Sequence, residues 1–178
     1  MADPDGLPPD VRSFVEELAL CVATYSDKGP ALLWSEGGER LLSLHQAWAQ
    51  AADTSRIDAS APDALTPEPV AAGAETDQLT TGLSHLLGCQ VRASYRVLPA
   101  GANSGVVDFA GEEFILTLAE GACRCRLWPP AGQLRGDAVL DVRLRAGESL
   151  FVPGSCVYRL SDVHRPTVIL TLVLGGQG

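Results

Sequence analysis

The chain is poor in the side chains that metal sites and polyanion-binding surfaces most often use. Its 178 residues include three histidines and a single lysine, and the formal net charge is −9. A protein this acidic is repelled by phosphate groups, so we expect neither nucleic acid nor an anionic membrane as a partner. No uninterrupted apolar run approaches the roughly 20 residues that span a bilayer, and the first residues are acidic where a secretory signal is basic. The sequence therefore predicts a cytoplasmic protein with no membrane partner.

The cysteine count argues against a disulfide framework. There are five cysteines, an odd number, in a chain with no recognisable leader. Free cysteine is among the most buried residue types, so we expect reduced and mostly buried thiols. The five are Cys21, Cys89, Cys123, Cys125 and Cys156.

Length and hydrophobic patterning predict one domain, residues 1–178, with a helical N-terminal segment over 1–88 and a strand-rich core over 89–178. Helical spacing of apolar residues predicts helices at Asp10–Ala23, Glu39–Ala52 and Asp77–Leu87. The last of these helices would end at Gly88, where a left-handed residue is needed. A short strand is expected at Ala31–Trp34, and residues 53–77, rich in Ala, Pro, Thr and Asp, are expected to form a loop.

From Gln90 onward the pattern changes to short extended segments divided by Gly and Pro, which is typical of a sandwich or barrel. The final segment is apolar on both faces, so helices of the N-terminal segment should cover its outer side. The predicted strands are Gln90–Leu98, Phe114–Ala119, Ala122–Trp128, Val139–Arg145, Ser149–Val152, Val157–Ser161 and Thr167–Leu174.

Several of these segments resemble a known family. Residues 116–130 are similar to the strand, glycine turn and strand of JmjC-type 2-oxoglutarate oxygenases, with the asparaginyl hydroxylase that inhibits hypoxia-inducible factor as the nearest pattern. Residues 146–155 resemble that family's G-D-x-L-Y-x-P segment, and residues 28–33 its K-x-P-x-L-L segment. The resemblance implies a mainly β fold: a cupin/JmjC-like double-stranded β-helix, or jelly-roll barrel, preceded by a helical segment.

The same resemblance implies that the iron ligands are missing. In that family an H-x-D pair and a later histidine hold Fe(II) as a facial triad. The H-x-D region falls at residues 107–110, where one register places Asp108 and Ala110 at the ligand positions. A register slipped by one residue places Val107 and Phe109 there instead. Neither register supplies a histidine.

The other chemical positions have changed as well. The resemblance places Tyr158 where the distal histidine stands, and Cys123 where a lysine pairs with the 2-oxoglutarate carboxylate. The three histidines also argue against a metal site from their own positions: His45 and His85 lie on predicted helices, and His164 lies in a polar turn. We therefore expect a degenerate member that binds neither metal nor cofactor.

Strand alternation places Cys123 and Cys125 on one face of their strand, and Asp108, Tyr158 and Cys156 are candidates to share the same cavity. One interpretation is a thiolate-rich site that binds a soft metal or supplies a nucleophile. The other is that small cysteines fill barrel space that a lost cofactor has left.

Two further pairs carry functional interpretations. Asp108 with Tyr158 is a candidate acid–base pair, and the alternative is a hydrogen-bonded pair or two residues that do not meet. Arg92 and Arg96 lie on one strand face, where they would receive a carboxylate-bearing ligand or else balance the acidic exterior.

Two functions remain open at this point. The first is a metal-free module that binds a small molecule or peptide, or that supports a partner enzyme, for which the resemblance suggests bacterial natural-product (peptide) biosynthesis. The second is an enzyme with altered chemistry in the barrel: a metal-independent isomerase, cyclase or dehydratase, or a divergent 2-oxoglutarate oxygenase. A homodimer is a further expectation, through a surface other than helices that follow the barrel.

Overall fold

The computed structural model describes residues 9–34, 74–107, 111–129 and 138–175. Two helices lie in this part of the chain, α1 at Pro9–Tyr25 and α2 at Ala74–Leu87. The first predicted helix is therefore confirmed to within two residues. The third begins three residues earlier than predicted, so the expected loop over 53–77 is wrong at its end, where Ala74 to Asp77 are already helical. The predicted helix Glu39–Ala52 and the rest of that loop lie outside the described residues.

The described part of the chain contains nine strands, of which eight were predicted from the sequence. All the predicted strands are confirmed to within one residue at each end. The remaining strand, β3, has two residues and is too short to show any alternation. The strands are β1 Ala31–Trp34, β2 Val91–Leu98, β3 Val106–Val107, β4 Glu113–Glu120, β5 Ala122–Trp128, β6 Leu140–Arg145, β7 Glu148–Val152, β8 Val157–Ser161 and β9 Thr167–Leu174.

The strands form two antiparallel sheets. One has five strands in the order β1-β7-β4-β9-β2, and the other has four in the order β3-β8-β5-β6. From β2 to β9 successive strands of the chain alternate between the two sheets, except that β5 and β6 are neighbours in the four-stranded sheet. Side chains of the two inner faces form one apolar layer between the sheets, which we call the inner layer. The strand of the N-terminal segment, β1, pairs with β7 and so belongs to the five-stranded sheet.

The outer face of the five-stranded sheet is covered by both helices. Strand β9, second from one edge of the sheet, is buried along its whole length. Its outward residues, such as Leu170, pack with Phe14 of α1 and Leu83 of α2, whereas Ile169 and Val173 point into the inner layer. This arrangement confirms the expectation that the N-terminal helices cover the doubly apolar strand.

Two glycines sit where their backbone conformation is required. Gly88, at φ 67°, ends α2 in the left-handed conformation that the sequence predicted. Gly121, at φ 86°, makes the turn from β4 to β5. A Cβ on Gly121 would lie 2.9 Å from both the Pro166 carbonyl oxygen and the Thr167 Cα. This turn therefore has no room for a side chain.

Neither described helix combines the length and the hydrophobicity needed to cross a lipid bilayer.

Candidate functional site

The inner layer contains four of the residues that the sequence predicts for the site, namely Cys123, Cys125, Cys156 and Tyr158. Alternation along β5 turns Cys123, Cys125 and Leu127 inward and Arg124 and Arg126 outward, as predicted. The three inward side chains are fully buried. The other members of the layer are leucine, valine, isoleucine, phenylalanine and tyrosine side chains together with Cys156. The described centre of the barrel is therefore a buried, largely apolar interior around these thiols.

Burial keeps the β5 thiols protonated. It raises the pKa of Cys123 to about 12, and Arg143 lowers it only in part. The pKa of Cys125 is raised further, first by burial and then by its neighbour Cys123. A thiol needs its thiolate form to attack an electrophile or to ligate a metal. At neutral pH the two residues therefore behave as small apolar side chains, which favours the packing interpretation.

Cys156 belongs to the same layer near its edge. It precedes β8, and its backbone N–H donates to the Pro153 carbonyl at 3.0 Å. Burial raises the pKa of its thiol, while a hydrogen bond with Ser155 lowers it. Cys156 thus shares the protonated state of the β5 thiols, and the structure brings all three predicted cysteines into one layer.

Tyr158 lies on β8 with its ring against Phe114, the two centroids 5.1 Å apart and tilted by 45°. The side chain is 3% exposed. Burial raises the pKa of the phenol to about 12, although Arg96 opposes the shift. The phenol is therefore a hydrogen-bond donor at neutral pH and has no tendency to act as a base.

The two predicted arginines have different environments. Both share the face of edge strand β2 that carries Leu98 into the inner layer. Arg96 lies near enough to Tyr158 to lower the pKa of its phenol. Arg92 is largely exposed and donates to both Glu112 carboxylate oxygens, at 2.6 and 2.7 Å. The structure therefore brings Arg96 to Tyr158 and engages Arg92 in a surface ion pair.

Asp108, the other predicted catalytic residue, lies outside the described residues. The chain reaches it directly from Val107, which is the register partner of Tyr158 across β3 and β8. Contact between Asp108 and Tyr158 stays a prediction.

The described side chains do not fit a mononuclear iron site. Within 9–34, 74–107, 111–129 and 138–175, no three His, Cys, Asp or Glu residues lie close enough together to hold a metal ion. His85 is exposed on α2, His164 is exposed between β8 and β9, and His45 is outside the described residues. Tyr158, which the sequence resemblance places at the distal-histidine position, carries a protonated phenol, and this is a poor ligand for Fe(II).

A groove of about 510 Å³ lies elsewhere, where the ends of both helices meet the end of the five-stranded sheet. Its walls include Val22, Leu87 and Leu174, and Cys89 and Glu113 also line it. None of the residues predicted for the site lines this groove. The half-buried Cys89 is a lone cysteine between a helix and a strand, so no sequence pattern indicates a role for it.

Similar proteins are found by comparison of structures and not by comparison of sequences. No family model and no curated protein matches the sequence. Among solved structures, a prolyl-4-hydroxylase from Pseudomonas putida matches with a TM-score of 0.58 at 14% identity, over 90% of this chain and 95% of that one. Two facing antiparallel sheets are the architecture of a double-sheet jelly roll, the class that includes cupins. The chain has the cupin-type jelly-roll fold.

Two shorter matches have TM-scores below 0.5, and the fold assignment does not rest on them. The cupin domain of Schizosaccharomyces pombe Cnp3 matches over 48% of this chain and 53% of that one, with 13% identity and a TM-score of 0.40. RmlC from Streptococcus suis, solved with dTDP-D-xylose, matches over 49% and 45%, with 12% identity and a TM-score of 0.41. In both cases the chain described in this structure spans less than two thirds of the length of the other protein. The predicted fold class is confirmed, whereas the nearer resemblance to the asparaginyl hydroxylase stays a prediction.

Proposed function

We propose that this cupin-fold protein is a metal-free module that binds a small molecule or peptide, or that supports a partner enzyme. The observation that carries the proposal is the state of the inner layer: the positions assigned to iron and 2-oxoglutarate hold Tyr158 and Cys123, both buried and both neutral at physiological pH. A lysine at the second position would supply a positive charge for a carboxylate. A protonated thiol supplies none.

The chemistry of the barrel edge indicates the ligand class. Arg96 and Tyr158 lie within electrostatic range of each other, and both side chains donate hydrogen bonds at neutral pH. Guanidinium donors bind carboxylates with short, charge-assisted hydrogen bonds. We therefore take the occupant to be a carboxylate-bearing small molecule or peptide terminus that approaches along the inner face of β2.

Altered enzyme chemistry is the alternative that the sequence left open. It requires Asp108 as a base with Tyr158 as an acid, or else a nucleophilic cysteine. A pKa of about 12 makes Tyr158 a weak acid and leaves Cys123 without a thiolate at neutral pH, so neither residue supports the acid or the nucleophile that this alternative needs. This alternative, including a divergent oxygenase, stays a prediction. The expected role in bacterial natural-product biosynthesis and the expected homodimer stay predictions as well.

A binding experiment with a matched pair of variants tests the proposal. Purified protein is titrated calorimetrically with a panel of small mono- and dicarboxylates, in the presence of chelator so that no metal contributes. The Arg96→Gln variant should lose affinity for any carboxylate that binds, by about tenfold or more, because one charged hydrogen-bond donor is removed. Arg92→Gln is the control, since it removes the same charge from the same strand face but from a surface ion pair with Glu112.

Three results would contradict the proposal. Carboxylate binding that appears only after Fe(II) is added would show that the site needs a metal. Equal loss of affinity in both variants would show a general charge effect. Conversion of a bound carboxylate to product without metal would favour altered enzyme chemistry.

A further inference from the structure

The outer face of the four-stranded sheet is unusually basic for this protein. It is formed by the residues that alternate with the inward side chains of β5, β6 and β8. Five arginines lie on this face, all of them exposed or partly exposed, and we call them the arginine face: Arg124, Arg126, Arg143, Arg145 and Arg159.

Few carboxylates balance this face. Asp141 accepts hydrogen bonds from Arg124 at 2.6 and 2.7 Å and from Arg126 at 3.1 Å. Asp162 lies 3.7 Å from Arg124. In the described part of the chain no carboxylate lies within 4.0 Å of the Arg143 side chain. Among the described residues, five arginines against these two carboxylates give the face a net charge of +3, on a chain whose total is −9.

The strand register sets like charges against each other. Arg124 lies directly opposite Arg143 across β5 and β6, and Arg126 lies directly opposite Arg159 across β5 and β8. Like charges at directly opposed positions destabilise an antiparallel sheet. Asp141 offsets part of this repulsion at Arg124 and Arg126, and Arg159 donates to Asn103 Oδ1 at 2.8 Å. An anionic partner lying over Arg143 and Arg159 would relieve the rest.

We propose that the arginine face docks a carboxylate-rich segment of a partner protein. Guanidinium groups bind carboxylates in a planar, bidentate manner, and several exposed guanidinium groups on a flat sheet present that geometry to one acidic segment. This surface lies outside the barrel, so the proposal does not depend on what the inner layer binds.

Size and surroundings favour a compact acidic segment over a nucleic acid. With strands about 4.8 Å apart, four strands span only about 15 Å. The described residues outside this face carry ten acidic and five basic side chains, which give a net charge of −5. A longer polyanion would run from the arginine face onto that acidic surface, within a Debye length of about 8 Å at physiological salt, and would be repelled. A short acidic segment would contact the basic patch alone.

The probe is a short fluorescent peptide rich in glutamate, titrated by anisotropy at low and at high salt. Its controls are the glutamine version of the peptide and a single-stranded DNA oligonucleotide of equal formal charge. The protein variants are Arg143→Gln and Arg159→Gln, with Lys28→Gln as the matched loss of one positive charge. Lys28 follows α1, which packs on the five-stranded sheet on the other side of the molecule.

We expect the acidic peptide to bind at low salt, with an affinity that falls about fivefold in either arginine variant and is unchanged in Lys28→Gln. The glutamine peptide should not bind. The melting temperature of Arg143→Gln should be unchanged or higher, since one like-charge pair is gone, and this separates loss of binding from loss of folding.

Three results would overturn the proposal. Equal affinities for the peptide in Arg143→Gln and Lys28→Gln would show that the face is not the site. Tighter binding of the oligonucleotide than of the peptide would identify a nucleic-acid surface. Sedimentation velocity could show that the wild-type protein self-associates and that Arg143→Gln does not. That result would mean that the face joins two copies of the chain.

Discussion

Replacing Cys125 by serine and by alanine separates a packing role from a chemical one. The side chain is fully buried among apolar neighbours of the inner layer. Alanine removes one sulfur atom and its contacts, which costs about 1 kcal/mol where the site cannot collapse. Serine has nearly the shape of cysteine but places a hydroxyl in the same apolar layer. If the hydroxyl finds no hydrogen-bond partner, the free energy of unfolding falls roughly 1 to 3 kcal/mol below that of the alanine variant.

Urea denaturation measures both effects as free energies of unfolding. We expect the order wild type, then Cys125→Ala, then Cys125→Ser. For a chain of this size each kcal/mol corresponds to a change in melting temperature of about 2 to 4 °C. Cys89→Ser is the matched control: this cysteine is half-buried in the groove, so its serine variant should lie close to wild type. A serine variant of Cys125 as stable as wild type would refute the reasoning, because the site would then be polar enough to accept a hydroxyl.

Two other predictions follow from the same features. Stability should fall as the pH rises above 9, because burial raises the pKa of Cys123 to about 12 in the folded state, so the unfolded chain loses its proton first. At pH 10 the expected loss is about 1.4 kcal/mol for this thiol. Between pH 8 and pH 10, urea titrations should show a smaller loss of the free energy of unfolding in Cys123→Ala than in the wild type. An equal loss in the two proteins would contradict the raised pKa of Cys123. Gly121→Ala should lower the free energy of unfolding by about 1 to 3 kcal/mol, because alanine at φ 86° is strained and its Cβ would meet Thr167. Alanine at Gly105, where φ is 66° but nothing lies within 4 Å, is the control that carries the backbone strain alone.

Much of the fold could be predicted because it depends on local patterns. Period-two alternation with Gly and Pro punctuation located the long strands, and the apolar run of β9 indicated cover on both faces. The start of α2 was placed too late because Ala74 and Glu75 follow a stretch dominated by Ala, Pro and Thr, whose composition suggests a loop. β3 was missed because Val106 and Val107 are too few to show a period.

The site was predictable only in part, because its contacts cross between strands. The facing of Cys123 and Cys125 follows from alternation along one strand. The different environments of Arg92 and Arg96 do not follow from a local pattern. They depend on Glu112, twenty residues after Arg92, which pairs with Arg92. The nearness of Arg96 and Tyr158 likewise requires the order of strands in both sheets, which no local pattern provides.

The measurement that tests the central claim most directly is Fe(II) binding under anaerobic conditions, coupled to 2-oxoglutarate consumption after oxygen is admitted. Protein expressed with supplemental iron is first analysed for its metal content and then titrated with Fe(II) at neutral pH. The account predicts a substoichiometric iron content, no saturable Fe(II) binding, and 2-oxoglutarate consumption no faster than in buffer with iron. One equivalent of tightly held iron together with enzyme-dependent loss of 2-oxoglutarate would contradict it.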